Sequence, residues 1–175
     1  MAPLLACLIL NGCERNDTGE APAAERPATP RSATPEKKTP ASNPTTRAET
    51  KKVAIEANDK MKFSVTGFSV ETGQPVEVTL KNVGTMPKVS MGHNWVLLKD
   101  DAAPGKFVEA GFDDAANDYI DPGVADQIIA ATRLLGPGES DTVTFTAPEK
   151  AGKYNYVCSF PGHFAAGMKG VMTAE

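Results

Sequence analysis

Near the C-terminus, three side chains that bind soft metals stand at equal spacing in one short segment. Cys158, His163 and Met168 are each separated by four residues. The segment before Cys158 carries alternating aromatic residues, and the segment after Met168 is strand-like again. A Pro-Gly pair and a further glycine bend the intervening loop. The pattern predicts two β-strands joined by a tight loop on which the three side chains converge.

A thiolate, an imidazole and a thioether form a donor set that suits copper better than magnesium or calcium, which prefer oxygen ligands. A second imidazole would complete a trigonal site of one cysteine and two histidines with a weak axial methionine. The chain has two histidines in all, and the other one is His93. Taken singly, each residue also fits an ordinary role, because buried thiols and core thioethers are common. Their joint occurrence favours a metal site.

The charge and cysteine content exclude some classes of function. The chain of 175 residues carries 18 Lys and Arg against 22 Asp and Glu, a formal net charge of −4 at pH 7. This balance argues against nucleic-acid binding, which usually requires a basic face. Two of the three cysteines, Cys7 and Cys13, lie at the N-terminus, so the rest of the protein has one thiol and no internal disulfide. In an exported protein a lone thiol should be occupied, and a metal is one way to occupy it.

Residues 1–13 form an apolar run that is far shorter than the ~20 residues needed to span a bilayer. They resemble the end of a secretory signal peptide, and residues 10–13 (Leu-Asn-Gly-Cys) resemble a bacterial lipobox. This resemblance implies cleavage before Cys13 and lipid attachment to Cys13. No basic residue precedes the apolar run, although signal peptides normally begin with one, so we expect the natural start upstream of Met1. A chance apolar N-terminus is the alternative.

Residues 14–50 contain no Val, Ile, Leu, Met or aromatic residue and are dominated by Ala, Pro, Thr, Glu and Arg. Such a segment cannot bury enough apolar surface to offset the entropy of ordering, so the sequence predicts a disordered linker. Its prolines favour extended polyproline geometry. Behind a lipid anchor, this linker would hold the following domain away from a membrane. A spacer with no anchor is the alternative.

Residues 51–175 have the pattern of an all-β domain. Short runs with alternating or continuous apolar residues are separated by turns rich in Gly, Pro, Asn and Asp. About eight strands at this spacing predict a Greek-key β-sandwich or barrel. The runs lie at 53–55, 63–65, 76–80, 95–98, 127–131, 143–145, 154–158 and 169–172. Residues 100–126 are too long for a hairpin loop, and we expect one short helical insertion within 102–116.

Several motifs in this domain resemble those of the blue (type 1) copper proteins of the cupredoxin family, and the azurins most closely. The resemblance covers essentially residues 51–175. The four residues between His163 and Met168 are one more than in azurins and match plastocyanins and auracyanins. The motifs that carry it are Asn58–Phe63, Met86–Lys88, Met91–Leu97, Asp118–Ile120, Gly138–Phe145, Cys158–His163 and Met168–Gly170.

The resemblance implies one type 1 copper per chain and assigns roles to individual residues. His93, Cys158 and His163 would be the trigonal ligands and Met168 the weak axial ligand. The backbone carbonyl of Gly92 would lie on the opposite axis. Asn94 would tie the two ligand-bearing loops together through hydrogen bonds near Ser159, a contact that orients the ligands.

The family implies an electron-transfer protein that passes single electrons between redox partners. The ring edge of His163 would be exposed within an apolar patch that docks partners such as c-type cytochromes or copper and haem reductases and oxidases. We expect a monomeric, periplasmic or cell-envelope protein whose only membrane contact is a lipid anchor at Cys13. The expected patch residues are Met61, Met86, Pro87, Met91, Phe160, Pro161, Phe164 and Ala165.

Competing functions remain. A copper nitrite reductase or oxidase would need a second copper centre built largely from histidines, and none remains once His93 and His163 are used. Zinc could bind the same residues, but structural zinc sites usually carry four strong ligands. A Cys–His nucleophilic pair would need an orienting third group. We therefore expect no enzyme, and the alternative is a copper-binding carrier or storage lipoprotein without an electron-transfer role.

Overall fold

The computed structural model describes residues 49–175. The predicted signal segment at 1–13, the lipid attachment at Cys13 and nearly all of the predicted linker at 14–50 lie outside the described residues. Within 49–175, no helix is long and apolar enough to cross a membrane.

Nine β-strands form two sheets in the described part of the chain. They are β1 Lys51–Asn58, β2 Lys62–Phe63, β3 Gly67–Val70, β4 Pro75–Asn82, β5 Val96–Leu98, β6 Ile128–Ala131, β7 Ser140–Thr146, β8 Gly152–Val157 and β9 Lys169–Ala174. The first sheet has the order β2-β1-β4-β7, and the second has the order β3-β9-β8-β5-β6. Several neighbouring strands, such as β3 and β9, come from distant parts of the chain, and the predicted all-β sandwich is confirmed.

The core lies between the two sheets and follows from strand alternation. Along β4, Val76, Val78 and Leu80 point inward and are at most 1% exposed, while the residues between them are half-buried. From the other sheet, Trp95 and Tyr156 are completely buried, and their rings lie 5.5 Å apart. Because side chains on a strand alternate between faces, this pattern fixes which face of each sheet is buried.

The pairing includes two parallel pairs. β1 pairs in parallel with β4, and β3 pairs in parallel with β9. β4–β7, β5–β8 and β8–β9 are antiparallel. β3 is not among the predicted runs, because it has only four residues, although Phe68 and Val70 do alternate with polar or small residues. β8 ends at Val157, so Cys158 lies one residue beyond the strand that was expected to include it.

The described residues contain more helical segments than the one short helix predicted. The expected insertion contains α2, Pro104–Ala110, followed by short 3₁₀ segments at Ala115–Asn117 and Pro122–Gln127. A further short helix, α1 at Lys88–Met91, was not expected. It begins directly after a proline, which is favourable at a helix start, and it is too short to produce a periodic apolar pattern.

The insertion packs against the outer side of the second sheet. Phe107 and Val108 of α2 are 1% and 7% exposed and form a second apolar cluster with Val96, Leu98 and Val157. Phe164, between His163 and Met168, packs partly against this cluster. The insertion therefore supports the segment that carries the candidate metal-binding residues.

Candidate metal centre

His93 lies between α1 and β5, and its backbone is held by an isolated bridge to Leu135. The His93 amide donates to the Leu135 carbonyl at 3.1 Å, and the Leu135 amide donates back at 2.8 Å. Two reciprocal hydrogen bonds fix the position of the Cα atom and the direction of the side chain. His93 is therefore held by the framework rather than by a free loop.

Cys158, His163 and Met168 lie on the segment that joins β8 to β9. The Cys158 amide donates to the Met168 carbonyl at 3.2 Å, and the Met168 amide donates to the His163 carbonyl at 2.9 Å. Gly162 and Gly167 have φ of +83° and +92°. Glycine adopts such left-handed conformations without steric cost, which is why the loop can turn twice within a few residues. Cys158 and His163 come together as predicted from their spacing, and the Met168 backbone is hydrogen-bonded to both residues.

His93, Cys158 and His163 form one compact group, because one potential ligand atom from each lies within 4.8 Å of the others. The Sγ atom of Cys158 lies 3.4 Å from Nδ1 of His163. Cys158, His93 and Met168 are 0% exposed and His163 is 2% exposed. Neither ring nitrogen of His93 has a hydrogen-bond partner. Since buried polar atoms are normally satisfied, these orphaned nitrogens fit residues that bind a metal ion.

Burial also determines the charge of the site. Desolvation raises the pKa of the Cys158 thiol to about 12 and lowers the pKa of the His163 imidazole to about 4. Desolvation likewise lowers the pKa of His93, against an opposing effect of the Asp59 carboxylate. Without a metal, the site therefore holds neutral imidazoles and a protonated thiol. A bound cation would displace the thiol proton, because the thiolate is the ligand.

Asn94 joins the two parts of the chain that carry the candidate ligands. Its side-chain amide donates to Ser159 Oγ at 2.7 Å, and its carbonyl oxygen accepts from the Ser159 amide at 2.9 Å. The same amide nitrogen donates to the backbone carbonyl of Asp118 at 3.1 Å. Asn94 and Ser159 are both 0% exposed. This contact is the one that the resemblance implied for these two residues.

Asp118 belongs to one of the cupredoxin-like motifs, but the sequence alone indicated no role for it. Its carbonyl accepts from Asn94 and from the Ser159 hydroxyl, and its carboxylate accepts from the Leu134 amide at 3.0 Å. Its φ of 55° is a left-handed conformation that aspartate tolerates better than most residues. Asp118 therefore connects both ligand-bearing segments to the chain at Leu134, between β6 and β7. The signal that could have found it is the short Asp-Tyr-Ile motif after a turn-rich stretch.

Gly92 precedes His93 in extended conformation. A Cβ atom added there would lie 2.7 Å from the Lys88 carbonyl oxygen and 2.9 Å from the Leu134 side chain. Any side chain would therefore push α1 away from His93. This crowding explains why glycine is needed at this position, and an axial role for its carbonyl stays a prediction.

The expected docking residues differ in exposure. Met86, Pro87 and Ala165 are exposed, whereas Met61, Met91, Pro161 and Phe164 are half-buried. Phe160 is 7% exposed, so its expected place in the exposed patch is wrong. Its ring lies 4.6 Å from that of His163 and meets Tyr119 edge-on at 4.9 Å, which places it in the core beneath the surface.

His163 also differs from the expectation that its ring edge is exposed. The residue is 2% exposed. Its ring centroid lies 4.9 Å from that of His93 and 4.6 Å from that of Phe160, so neighbouring rings cover it. The spacing of His163 along the sequence carried no information about this packing.

The sequence of residues 49–175, more than half of the chain, matches the family of copper binding proteins that includes plastocyanin and azurin. The chain belongs to this family. The family and the buried His-Cys-His group, with Met168 nearby, fit one type 1 copper per chain. The predicted cupredoxin resemblance and the predicted copper cofactor are confirmed.

Relatives of this cupredoxin include azurin of Achromobacter denitrificans, which is 41% identical over 137 residues. That match covers 75% of this chain and 89% of the relative. Outer membrane protein H.8 of Neisseria gonorrhoeae is 39% identical over 121 residues, covering 68% of this chain and 64% of the relative. The similarity thus extends to a protein of the outer membrane as well as to azurins.

Solved structures show the same relationship. Reduced auracyanin from Roseiflexus castenholzii is 36% identical with a TM-score of 0.64, covering 73% of this chain and 98% of that one. Azurin Az-iso2 from Methylomonas sp. strain J is 34% identical with a TM-score of 0.64, covering 71% and 98% of the two chains. The domain resembles both subgroups that the sequence motifs indicated.

Proposed function

We propose that this protein carries single electrons between redox partners through one type 1 copper, held by His93, Cys158 and His163 with Met168 as a weak axial ligand. The observation that supports this most directly is the buried group of two imidazoles and one thiol in a chain of the plastocyanin/azurin family. A His₂Cys site with a weak methionine is the donor set of blue-copper electron-transfer centres. We propose the backbone carbonyl of Gly92 as a further group that would contact the ion.

The surroundings of the site favour a geometry that changes little. When bound, the copper supplies a one-electron couple between its two oxidation states. His93 is held by its bridge to Leu135, and Asn94 clamps the Cys158 segment through Ser159. Complete burial of the donor side chains excludes water from them. A site that cannot rearrange or take up water has a small reorganisation energy when an electron arrives.

The route for electrons passes through the end of the molecule that carries the ligand loop. Phe160 and His163 are buried and are left out of the proposed docking patch. The patch contains the exposed or half-buried residues Met61, Met86, Pro87, Met91, Pro161, Phe164 and Ala165. Apolar patches of this kind mark interaction sites, and small interfaces suit partners that must separate quickly. We propose other redox proteins, such as c-type cytochromes or copper and haem reductases and oxidases, as the partners of a monomer.

We also propose that the protein works at the cell envelope, anchored by lipid on Cys13 through the linker at 14–50, with the cupredoxin domain spanning 51–175. The lipobox-like residues before Cys13 and the similarity to Outer membrane protein H.8 support this location. No observation favours a copper carrier or storage protein. Such a function would call for accessible donors, whereas the candidate ligands are buried.

Visible and EPR spectra of the copper-loaded protein test the proposed function. We expect a blue protein with the strong thiolate-to-copper absorption and the small copper hyperfine splitting of a type 1 site. The Cys158→Ser variant should lose the colour and keep the fold, as circular dichroism would show, because serine removes the sulfur without adding volume. A colourless wild type, an ordinary tetragonal copper signal, or a Cys158→Ser variant that stays blue would contradict the proposal.

A further inference from the structure

The segment from Phe164 to Gly167 links His163 to Met168 and lies outside both sheets. It is held partly by its own backbone, because Ala166 donates to Gly162 at 3.0 Å and Gly167 donates to Phe164 at 3.0 Å. These hydrogen bonds fix the turn internally. They do not fix where the turn lies relative to the sandwich.

Phe164 packs on the α2 cluster at one end of the turn, and one polar contact holds the other end. The amino group of Lys62 donates to the Ala166 carbonyl at 2.7 Å, across 104 residues of sequence. A Cβ atom on Gly167 would lie 2.9 Å from the same Nζ atom, so the lysine also lies directly against the next residue. Among the described residues, the other hydrogen bonds of 164–167 are local: they join the turn to itself, to Gly162 and to Lys169 at the start of β9. Met168 follows immediately.

Lys62 itself lies on a well-defined part of the backbone. It pairs with Asn58 across the antiparallel β1–β2 pair, and the tight turn between them is closed by the Met61 amide on the Asn58 carbonyl at 2.9 Å. The next residue, Phe63, is 4% exposed in the core. The lysine therefore reaches the loop from a fixed base. Among the described residues, it has no carboxylate partner within salt-bridge distance.

We propose that Lys62 is a positioning residue, which holds the Ala166–Gly167 turn against the β1–β2 turn and so sets the position of the Met168 thioether relative to Cys158 and the two histidines. A charge-assisted hydrogen bond is stronger than a neutral one, which suits a single contact that must locate a loop. The part of this inference that concerns Met168 as a ligand rests on the proposed function. The part that concerns the loop does not.

Amide hydrogen exchange in the metal-free protein tests the loop contact. In Lys62→Met, we expect the amides of Gly167 and Met168 to exchange about fivefold faster, as expected when one exposed charge-assisted hydrogen bond no longer opposes local opening. Lys60→Met is the matched control, since it removes the same charge from a neighbouring exposed residue without a side-chain contact to the loop. Lys62→Arg, which can still donate to the carbonyl, should restore most of the protection.

The copper-loaded variants test the consequence for the site. Lys62→Met should change the copper hyperfine splitting and the ratio of the visible absorption bands, whereas Lys60→Met should match the wild type and Lys62→Arg should lie close to it. Equal exchange rates in Lys62→Met and Lys60→Met would overturn the loop contact. Faster exchange with unchanged spectra would overturn the positioning of Met168. A wild type without a blue site would refute the proposed function, while the exchange comparison would still decide whether Lys62 holds the loop.

Discussion

Asn94 lies between His93 and Trp95 and is completely buried, yet each end of its amide has a partner. Its oxygen accepts from the Ser159 amide, and its nitrogen donates to the Ser159 hydroxyl and to the Asp118 carbonyl. A fully satisfied buried network of this kind specifies one arrangement. Any displacement would leave buried polar atoms without hydrogen-bond partners, because water does not reach them. The network thereby fixes the spacing between His93 and the Cys158 segment.

Replacing Asn94 with alanine should therefore lower the free energy of unfolding by about 2 to 4 kcal/mol, because it leaves the Ser159 amide buried without its partner. It should also broaden the spectroscopic signature of the copper-loaded site. Denaturant unfolding and EPR would measure the two effects. Asn155→Ala is the matched control, since Asn155 is a half-buried strand residue without a side-chain hydrogen bond among the described residues. A loss equal to that of Asn155→Ala would contradict the bridging role.

Among the elements, the helical insertion contributes to the site without contacting the candidate ligands directly. α2 rests on the second sheet through Phe107, and the cluster that it forms includes Val157, the residue before Cys158. Gly105 of α2 faces the ring of Phe164, and a Cβ atom at this position would make ordinary van der Waals contact with the ring at 3.7 Å. The ligand loop is therefore packed against the insertion on one side and held by Lys62 on the other.

Two phenylalanines of the insertion give a direct comparison of buried and exposed aromatic residues. Phe107→Ala should cost about 3 to 5 kcal/mol of unfolding free energy, because the residue is 1% exposed and its removal leaves a cavity. Phe112→Ala should change the free energy of unfolding by less than about 0.5 kcal/mol, because Phe112 is 53% exposed. Denaturant titrations of both variants would measure this. Similar losses would show that α2 does not anchor the insertion.

Elements with a strong local pattern were predictable, and those that depend on packing were not. The alternation of Val76, Val78 and Leu80 is enough to predict a strand. The four residues of α1 are too few to show helical periodicity. The approach of Cys158 and His163, on a loop that Met168 closes through its backbone, followed from spacing and turn residues. The burial of His163 under neighbouring rings and the contact of Lys62 with Ala166 did not, because they join residues from separate elements.

For the whole molecule, the proposed function combines a metal-binding domain with a proposed lipid anchor in the N-terminal segment. The described domain contains the complete candidate site, and within residues 49–175 Cys158 is the free cysteine. The proposed anchor at Cys13 belongs to the other part of the chain. Location and redox chemistry can therefore be changed separately.

The anchor can be tested with two cysteine variants of the full chain, expressed with a complete leader in a bacterium that processes lipoproteins. Cys13→Ala should move the protein from the membrane fraction to the soluble periplasm and leave its copper spectrum unchanged. Cys7→Ala should stay with the membrane, because residue 7 would be removed with the leader. Fractionation and the mass of the mature protein are the measurements. A mature form beginning elsewhere than at Cys13 would refute the proposed lipidation.

The order of the chain also determines when copper can enter. Cys158, His163 and Met168 all lie far downstream of His93, and β9, which follows them, pairs with both β3 and β8. His93 is synthesised much earlier than the other three candidate ligands. The candidate site is therefore finished only once the ligand loop and β9 have been made and paired, and a chain that stops before them offers no finished site to a competing ion.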